Sequence, residues 1–261
     1  MSSKDLRIPN FKPISLIKYD DAFYLSNILK KYDNLRKTND FFFSLNPYHK
    51  NIYRYILELE NIYRDIILTI NRINGHYKIS NRQLELFTKI NMLNEYEQTE
   101  YDELLKYDLQ GYLRLDIRIL FVFINIFMDK IPKFLNSLFK PGTKPRSSSY
   151  HRYVKSLEKF NGTEIDHLKR IVNSAYIWYE DIKEIRDAYV VHQPAIHGAS
   201  AYGDDYISTV LSTSKYKGIR YKPISNEYIQ SIINVLEKFV KDVTNFLETH
   251  YDNIPLTIDI Q

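Results

Sequence analysis

Arg186 and His192 are the residues of this chain whose types and spacing point most directly to chemistry. They bound the segment Arg-Asp-Ala-Tyr-Val-Val-His, near the end of an amphipathic stretch that starts at Glu164 and is stopped by Pro194. A guanidinium stays charged at any ordinary pH and fits a phosphate well, so it can hold a phosphodiester or stabilise its dianionic transition state. An imidazole titrates near neutrality and can act as general base or general acid. RNA carries its own nucleophile in the 2′-hydroxyl. The two side chains would therefore suffice for RNA strand cleavage, and the expectation is of no metal ion and no organic cofactor.

Their placement on the stretch sharpens this. At about 100° per residue, Leu168, Ile171, Ala175, Trp178, Ile182, Ile185 and Tyr189 form one apolar stripe, and Glu180, Glu184 and Asp187 lie away from it. Arg186 falls inside the stripe, between Ile182 and Tyr189, and His192 falls on its opposite shoulder. A cation there needs an anion, a cleft or a partner chain. Residues six apart sit about 120° around a helix and about 9 Å along it, so one helix brings this pair together poorly. Two copies crossing antiparallel across a two-fold axis would gather two arginines and two histidines, which predicts a homodimer through this helix. The helix C-terminus also favours the charged form of His192. Plainer roles exist for each residue. Arg186 could form a structural ion pair with Glu180, Glu184 or a distant carboxylate, His192 could bond the last carbonyls of the helix, and Asp187, which could orient an Arg or His across the dimer, could instead be a surface acid.

An Arg, five residues and a His near the end of a helix in an all-helical chain resembles the motif of HEPN domains, in which a polar residue usually follows the Arg. Asp187 fills that place. The resemblance covers Arg186, Asp187 and His192 residue by residue, and as architecture roughly residues 102 to 250. It implies a helical bundle, dimerisation through the motif helices, and a metal-independent endoribonuclease acting as a toxin or antiviral defence effector, with an antitoxin or defence-system protein as a partner. In the branch of the family paired with small nucleotidyltransferase antitoxins a Tyr stands two places after the His. Here that place is Pro194, which argues against that branch.

Charge placement adds a second candidate surface. Between Lys140 and Arg170, eight basic residues face only Glu158, Glu164 and Asp166, which accounts for the whole net charge of +4. Within it, Lys140, Lys144, Arg146 and Arg152 could neutralise the phosphates of an RNA backbone, and His197 is an auxiliary phosphate contact or a surface histidine. Most charge runs are solvated faces, and Glu95 to Asp108 is such a run of opposite sign. The 23 tyrosines and 14 phenylalanines read either as base-stacking platforms or as the imprint of codon bias.

Other chemistries are excluded. With no cysteine, the chain has no disulfide, no thiolate zinc site and no Cys nucleophile. It carries no phosphate-binding loop, no Gly-x-Ser-x-Gly elbow and no His-Glu-x-x-His. Glu164, Asp166 and His167 cluster at a helix start, where the helix dipole explains the acids. The longest apolar run, Ile119 to Met128, falls short of the ~20 residues a membrane span requires. The polar N-terminal residues contain no secretory signal, and the expected location is cytoplasmic.

The elements that must position these residues are mostly helices. Hydrophobic content of 44% and charged content of 26% are those of a globular chain. Helical periodicity predicts helices over 14–32, 48–74, with Gly75 as a stop, and 81–92. A long helix follows over 102–139, broken or kinked by Pro132. Residues 140–149 hold two prolines, a glycine and three serines, and read as a linker or basic loop. Short and long helices follow over 150–160 and 164–192, and a last helix over 225–251. Residues 206–212 and 219–222 read as a small β-hairpin. The expected fold is mainly all-α, a helical bundle with that hairpin. It divides at about residue 100 into an N-terminal helical region (1–100) and a bundle carrying the motif (101–261), or is one continuous domain. Two non-catalytic alternatives remain: a helical partner-binding scaffold, and a sequence-indifferent nucleic-acid binder.

Overall fold

A computed structural model describes residues 30, 47–140, 145, 149–187, 197–203, 206–212, 226–250, 254, 256 and 259–260. The fold is mainly α-helical. In chain order the described helices are α1 (Pro47–Thr88), α2 (Glu95–Leu105), α3 (Leu109–Asn136), α4 (Tyr150–Leu157), α5 (Thr163–Arg186) and α6 (Asn226–His250), with a 3-10 turn at Ile90–Met92. Among the described residues no helix is long and apolar enough to cross a membrane.

The chain forms two compact units. One takes residues 1–17, 67–121 and 185–230, the other 18–66, 122–184 and 231–261. Each has its own core. The first buries Ile70, Ile73, Leu113, Ile117 and Leu120, and the second buries Ile52, Ile56, Phe127, Phe134, Leu168 and Phe246. In the second unit Tyr63 tilts against Phe127 with ring centres 5.9 Å apart.

Two expected helix breaks do not end their helices. Gly75 does not end α1, which is one helix of 42 residues. A glycine inside a helix costs only about 1 kcal/mol relative to alanine, and its neighbours Ile73, Asn74, His76 and Tyr77 are all buried. Similarly, Pro132 lies inside α3, which continues to Asn136. Phe134 and Leu135 beyond it are fully buried, and burying two such side chains, at about 1.5–3 kcal/mol each, offsets the roughly 3 kcal/mol that proline costs.

The predicted 102–139 helix is in turn two helices. Asn94 opens α2 with a capping box: its side chain accepts from the Glu97 amide, and the Asn94 amide donates to the Glu97 carboxylate. The helix stops at Leu105, and Asp108 opens α3 by accepting from the Gly111 amide at 3.0 Å. A Cβ at position 111 would lie 2.1 Å from an Asp108 carboxylate oxygen, so glycine is what lets the cap close over the backbone.

The strand at 206–212 is present, but its partner lies upstream. Strand β2 (His197–Gly203) pairs antiparallel with β3 (Tyr206–Ser212), His197 facing Ser212. The second expected strand, 219–222, and the expected helix over 14–32 lie outside the described residues. In the second unit Gly162, at φ 137°, turns the chain between β1 (Phe160–Asn161) and α5. Strand β1 pairs antiparallel with β4 (Asp259–Ile260), and the Leu256 amide donates to the Leu138 carbonyl at 2.7 Å. The chain end is thus tied back onto the second unit.

Candidate functional site

The helix that carries the candidate arginine buries one face, at Ile165, Leu168, Ile171, Val172, Ala175, Tyr179, Ile182 and Ile185. Tyr189 of the predicted stripe lies outside the described residues, and the rest of the stripe is present with one correction. Tyr179, not Trp178, occupies the core position, because its hydroxyl has a buried partner and donates to Asn125 Oδ1 at 2.8 Å. Trp178 is half-buried.

Arg186 is the last residue of α5 and follows the buried Ile185. Its side chain is 24% exposed, and that of Asp187 31%. The guanidinium holds its own neighbour: Nε donates to Asp187 Oδ1 at 2.8 Å, and Nη2 donates to the same oxygen. Asp187 thus turns in to pair with Arg186 instead of standing as a free surface acid. Glu180, a partner considered for Arg186, accepts a hydrogen bond from Tyr176, whose hydroxyl also meets His151 Nδ1. Burial and the Glu180 carboxylate push the Tyr176 phenol up to about 12.

The other sequence candidates are placed less completely. His192, Lys144 and Arg146 lie outside the described residues. His197 begins β2, where its backbone faces Ser212. Lys140 is exposed just beyond α3. Arg152 is exposed in the first turn of α4, its amide donating to the capping Ser149 hydroxyl at 3.3 Å. Arg186 and Asp187 are therefore the two candidates that the described structure brings together. Among the described residues there is no group of three His, Asp or Glu side chains arranged to hold a metal ion.

Two polar constellations escaped sequence reasoning. In the first unit Asp116, 5% exposed, is held by two side chains through three contacts. Arg72 donates to both of its oxygens, at 3.1 and 2.6 Å, and His76 Nε2 lies 3.0 Å from Oδ2. The other imidazole nitrogen meets the Tyr107 hydroxyl at 3.0 Å, and the His76 ring stacks on Tyr112. Burial, with Tyr112 and Asp116 nearby, pushes the Tyr107 phenol up. The i, i+4 spacing of Arg72 and His76 was the available signal, hidden by ending the helix at Gly75.

In the second unit, α5 and α6 flank an open cavity of about 380 Å³ lined by His167, Arg170, Ile171, Ser174, Asp242 and Asn245. His250 borders it, its ring centre 5.8 Å from that of His167. The signal here was a polar residue every three positions on each helix, 167 and 170 facing 242 and 245. Attributing the polar start of α5 to the dipole alone concealed it. Comparison of the chain with family models, with curated proteins and with solved structures finds no match.

Proposed function

We propose that the protein is a metal-independent endoribonuclease in which Arg186 and His192 cut RNA, acting as a toxin or defence effector of the HEPN type. The observation that carries this reading is a half-buried guanidinium at the end of a core-facing helix, oriented by the adjacent Asp187 carboxylate and six positions before an imidazole. Asp187 engages only Nε and Nη2 of the guanidinium, which leaves other N–H groups able to bind a phosphate.

In the proposed reaction His192 takes the proton of a ribose 2′-hydroxyl, and the oxygen attacks the adjacent phosphorus. Arg186 stabilises the extra negative charge of the pentavalent transition state. The 5′-oxygen departs and receives a proton from an imidazolium, leaving a 2′,3′-cyclic phosphate and a 5′-hydroxyl. A homodimer would supply two such imidazoles, and the basic run at Lys140, Lys144, Arg146 and Arg152 would hold the RNA backbone.

The test is RNA cleavage by the purified protein in EDTA. Arg186→Ala and His192→Ala should each lower the rate at least ~100-fold, in line with general acid–base and electrostatic contributions, and should relieve growth arrest when expressed in a host cell. Undiminished cleavage by either variant refutes the assignment. A non-catalytic helical module is the second reading, favoured because Arg186 already has an anionic partner in its own chain. It predicts that Arg186→Ala lowers stability while the wild type cuts no RNA.

A further inference from the structure

Arg170 and Asp242 carry opposite charges and line the same cavity, yet neither forms an ion pair or side-chain hydrogen bond among the described residues. Oppositely charged neighbours with room to move normally close onto each other. Here they stand on different helices with open space between them. Apart from Ile171, the rest of the lining is polar as well. The Asn245 side chain lacks a hydrogen-bond partner among the described residues, whereas the Ser174 hydroxyl donates to the Ile171 carbonyl at 2.8 Å and keeps its lone pairs for another donor. At the rim, His250 packs on Phe246 with ring centres 4.7 Å apart, and its Nε2 is buried with no hydrogen-bond partner among the described residues. Burial, and then His250 and Arg170, lower the pKa of His167, against the opposing pull of Asp242. One guanidinium and the His167 imidazole thus stand on one side, with one carboxylate across the opening.

We propose that this α5–α6 cavity binds a hydroxylated phosphate ester, with the phosphate on Arg170 and His167 and a ligand hydroxyl donating to Asp242. The donors decide the anion. A guanidinium fork and an imidazole offer more N–H groups than a carboxylate's two oxygens use, while a phosphate monoester has three free oxygens for them. Asp242 would repel a bare phosphate, so the ligand must also present a donor to it, and a sugar hydroxyl does so without adding positive charge. A cavity of about 380 Å³ matches small-molecule sites, which start at roughly 300 Å³. A free sugar phosphate supplies all of this chemistry, and the ribose–phosphate backbone of RNA supplies the hydroxyl with two free oxygens per phosphate. The proposal does not depend on the Arg186 reading, since it concerns binding and not strand cleavage.

The test is calorimetric titration of the full chain with ribose 5-phosphate, inorganic phosphate and a short single-stranded RNA. Arg170→Glu should weaken binding roughly tenfold or more, the loss of a charge-assisted contact. Lys183→Glu makes the same charge change at an exposed site further along α5 and should leave binding unchanged. Asp242→Asn should tighten inorganic phosphate and erase the preference for ribose 5-phosphate over it. Arg170-dependent binding of ribose 5-phosphate identifies a free ester as the source, and Arg170-dependent binding of the RNA alone identifies the backbone. Absence of saturable binding in all three titrations overturns the proposal, as does equal weakening by Arg170→Glu and Lys183→Glu. A preference for ribose 5-phosphate that survives Asp242→Asn overturns the role given to Asp242.

Discussion

Two buried tyrosines show how a single hydroxyl changes sign with its surroundings. Tyr150 and Tyr153 lie one turn apart on α4, both fully buried, and burial raises the pKa of both phenols. The Tyr150 hydroxyl donates to the Val172 carbonyl at 3.0 Å, while the Tyr153 hydroxyl has no hydrogen-bond partner among the described residues. Losing a made bond costs about 1 kcal/mol, whereas an unmade one is already a penalty. Chemical denaturation should therefore find Tyr150→Phe destabilised by about 1 kcal/mol and Tyr153→Phe unchanged or more stable. The Asp116 carboxylate, which satisfies Arg72 and His76 together, sits at the other extreme. Asp116→Ala strands the His76 donor in a buried site and should cost about 2–3 kcal/mol. Removing a solvent-exposed carboxylate such as Glu103, paired with Lys106, should be barely detectable by the same measurement.

Helices are where the chain's own pattern was most legible. Residues 226–250 form the helix that the spacing of Ile229, Ile232, Ile233, Leu236, Phe239, Val240, Val243, Phe246 and Leu247 predicts, and all nine are buried. Boundaries were legible where composition changes sharply, as between the 140–149 linker and the helix that starts at Tyr150. They were misread where burial overrides a weak helix breaker, at Gly75 and Pro132, or where a polar cap hides in a charge run, at Asn94 and Asp108. A pairing partner was harder still: the apolar alternation of 206–212 marked a strand, but the small, polar residues 197–203 that face it carry no such mark. Gly75 offers a direct check at this scale. A Cβ there meets nothing within 4 Å, so Gly75→Ala should raise stability by about 0.5–1 kcal/mol through helix propensity and a less flexible unfolded chain. No gain in the unfolding midpoint would mean that α1 is not continuous through this point.

For the whole molecule, helical class followed from periodicity alone, whereas the division into two units could not. Each unit gathers segments far apart in sequence, and long helices such as α1 contribute residues to both, so no break in composition marks the boundary. The candidate site was legible in part for the same physical reason. A charge on an apolar stripe betrays itself in one helix, as Arg186 does, while a cavity whose polar residues come from two helices, as His167 and Arg170 facing Asp242 and Asn245, needs the fold. The claim that the protein cuts RNA with a guanidinium and an imidazole is tested most directly by the ends it leaves. RNA incubated with the purified protein in EDTA should yield fragments with a 2′,3′-cyclic phosphate and a 5′-hydroxyl, and none when a 2′-deoxynucleotide stands at the cut. Fragments ending in a 3′-hydroxyl and a 5′-phosphate, or intact RNA at every protein concentration, would contradict it.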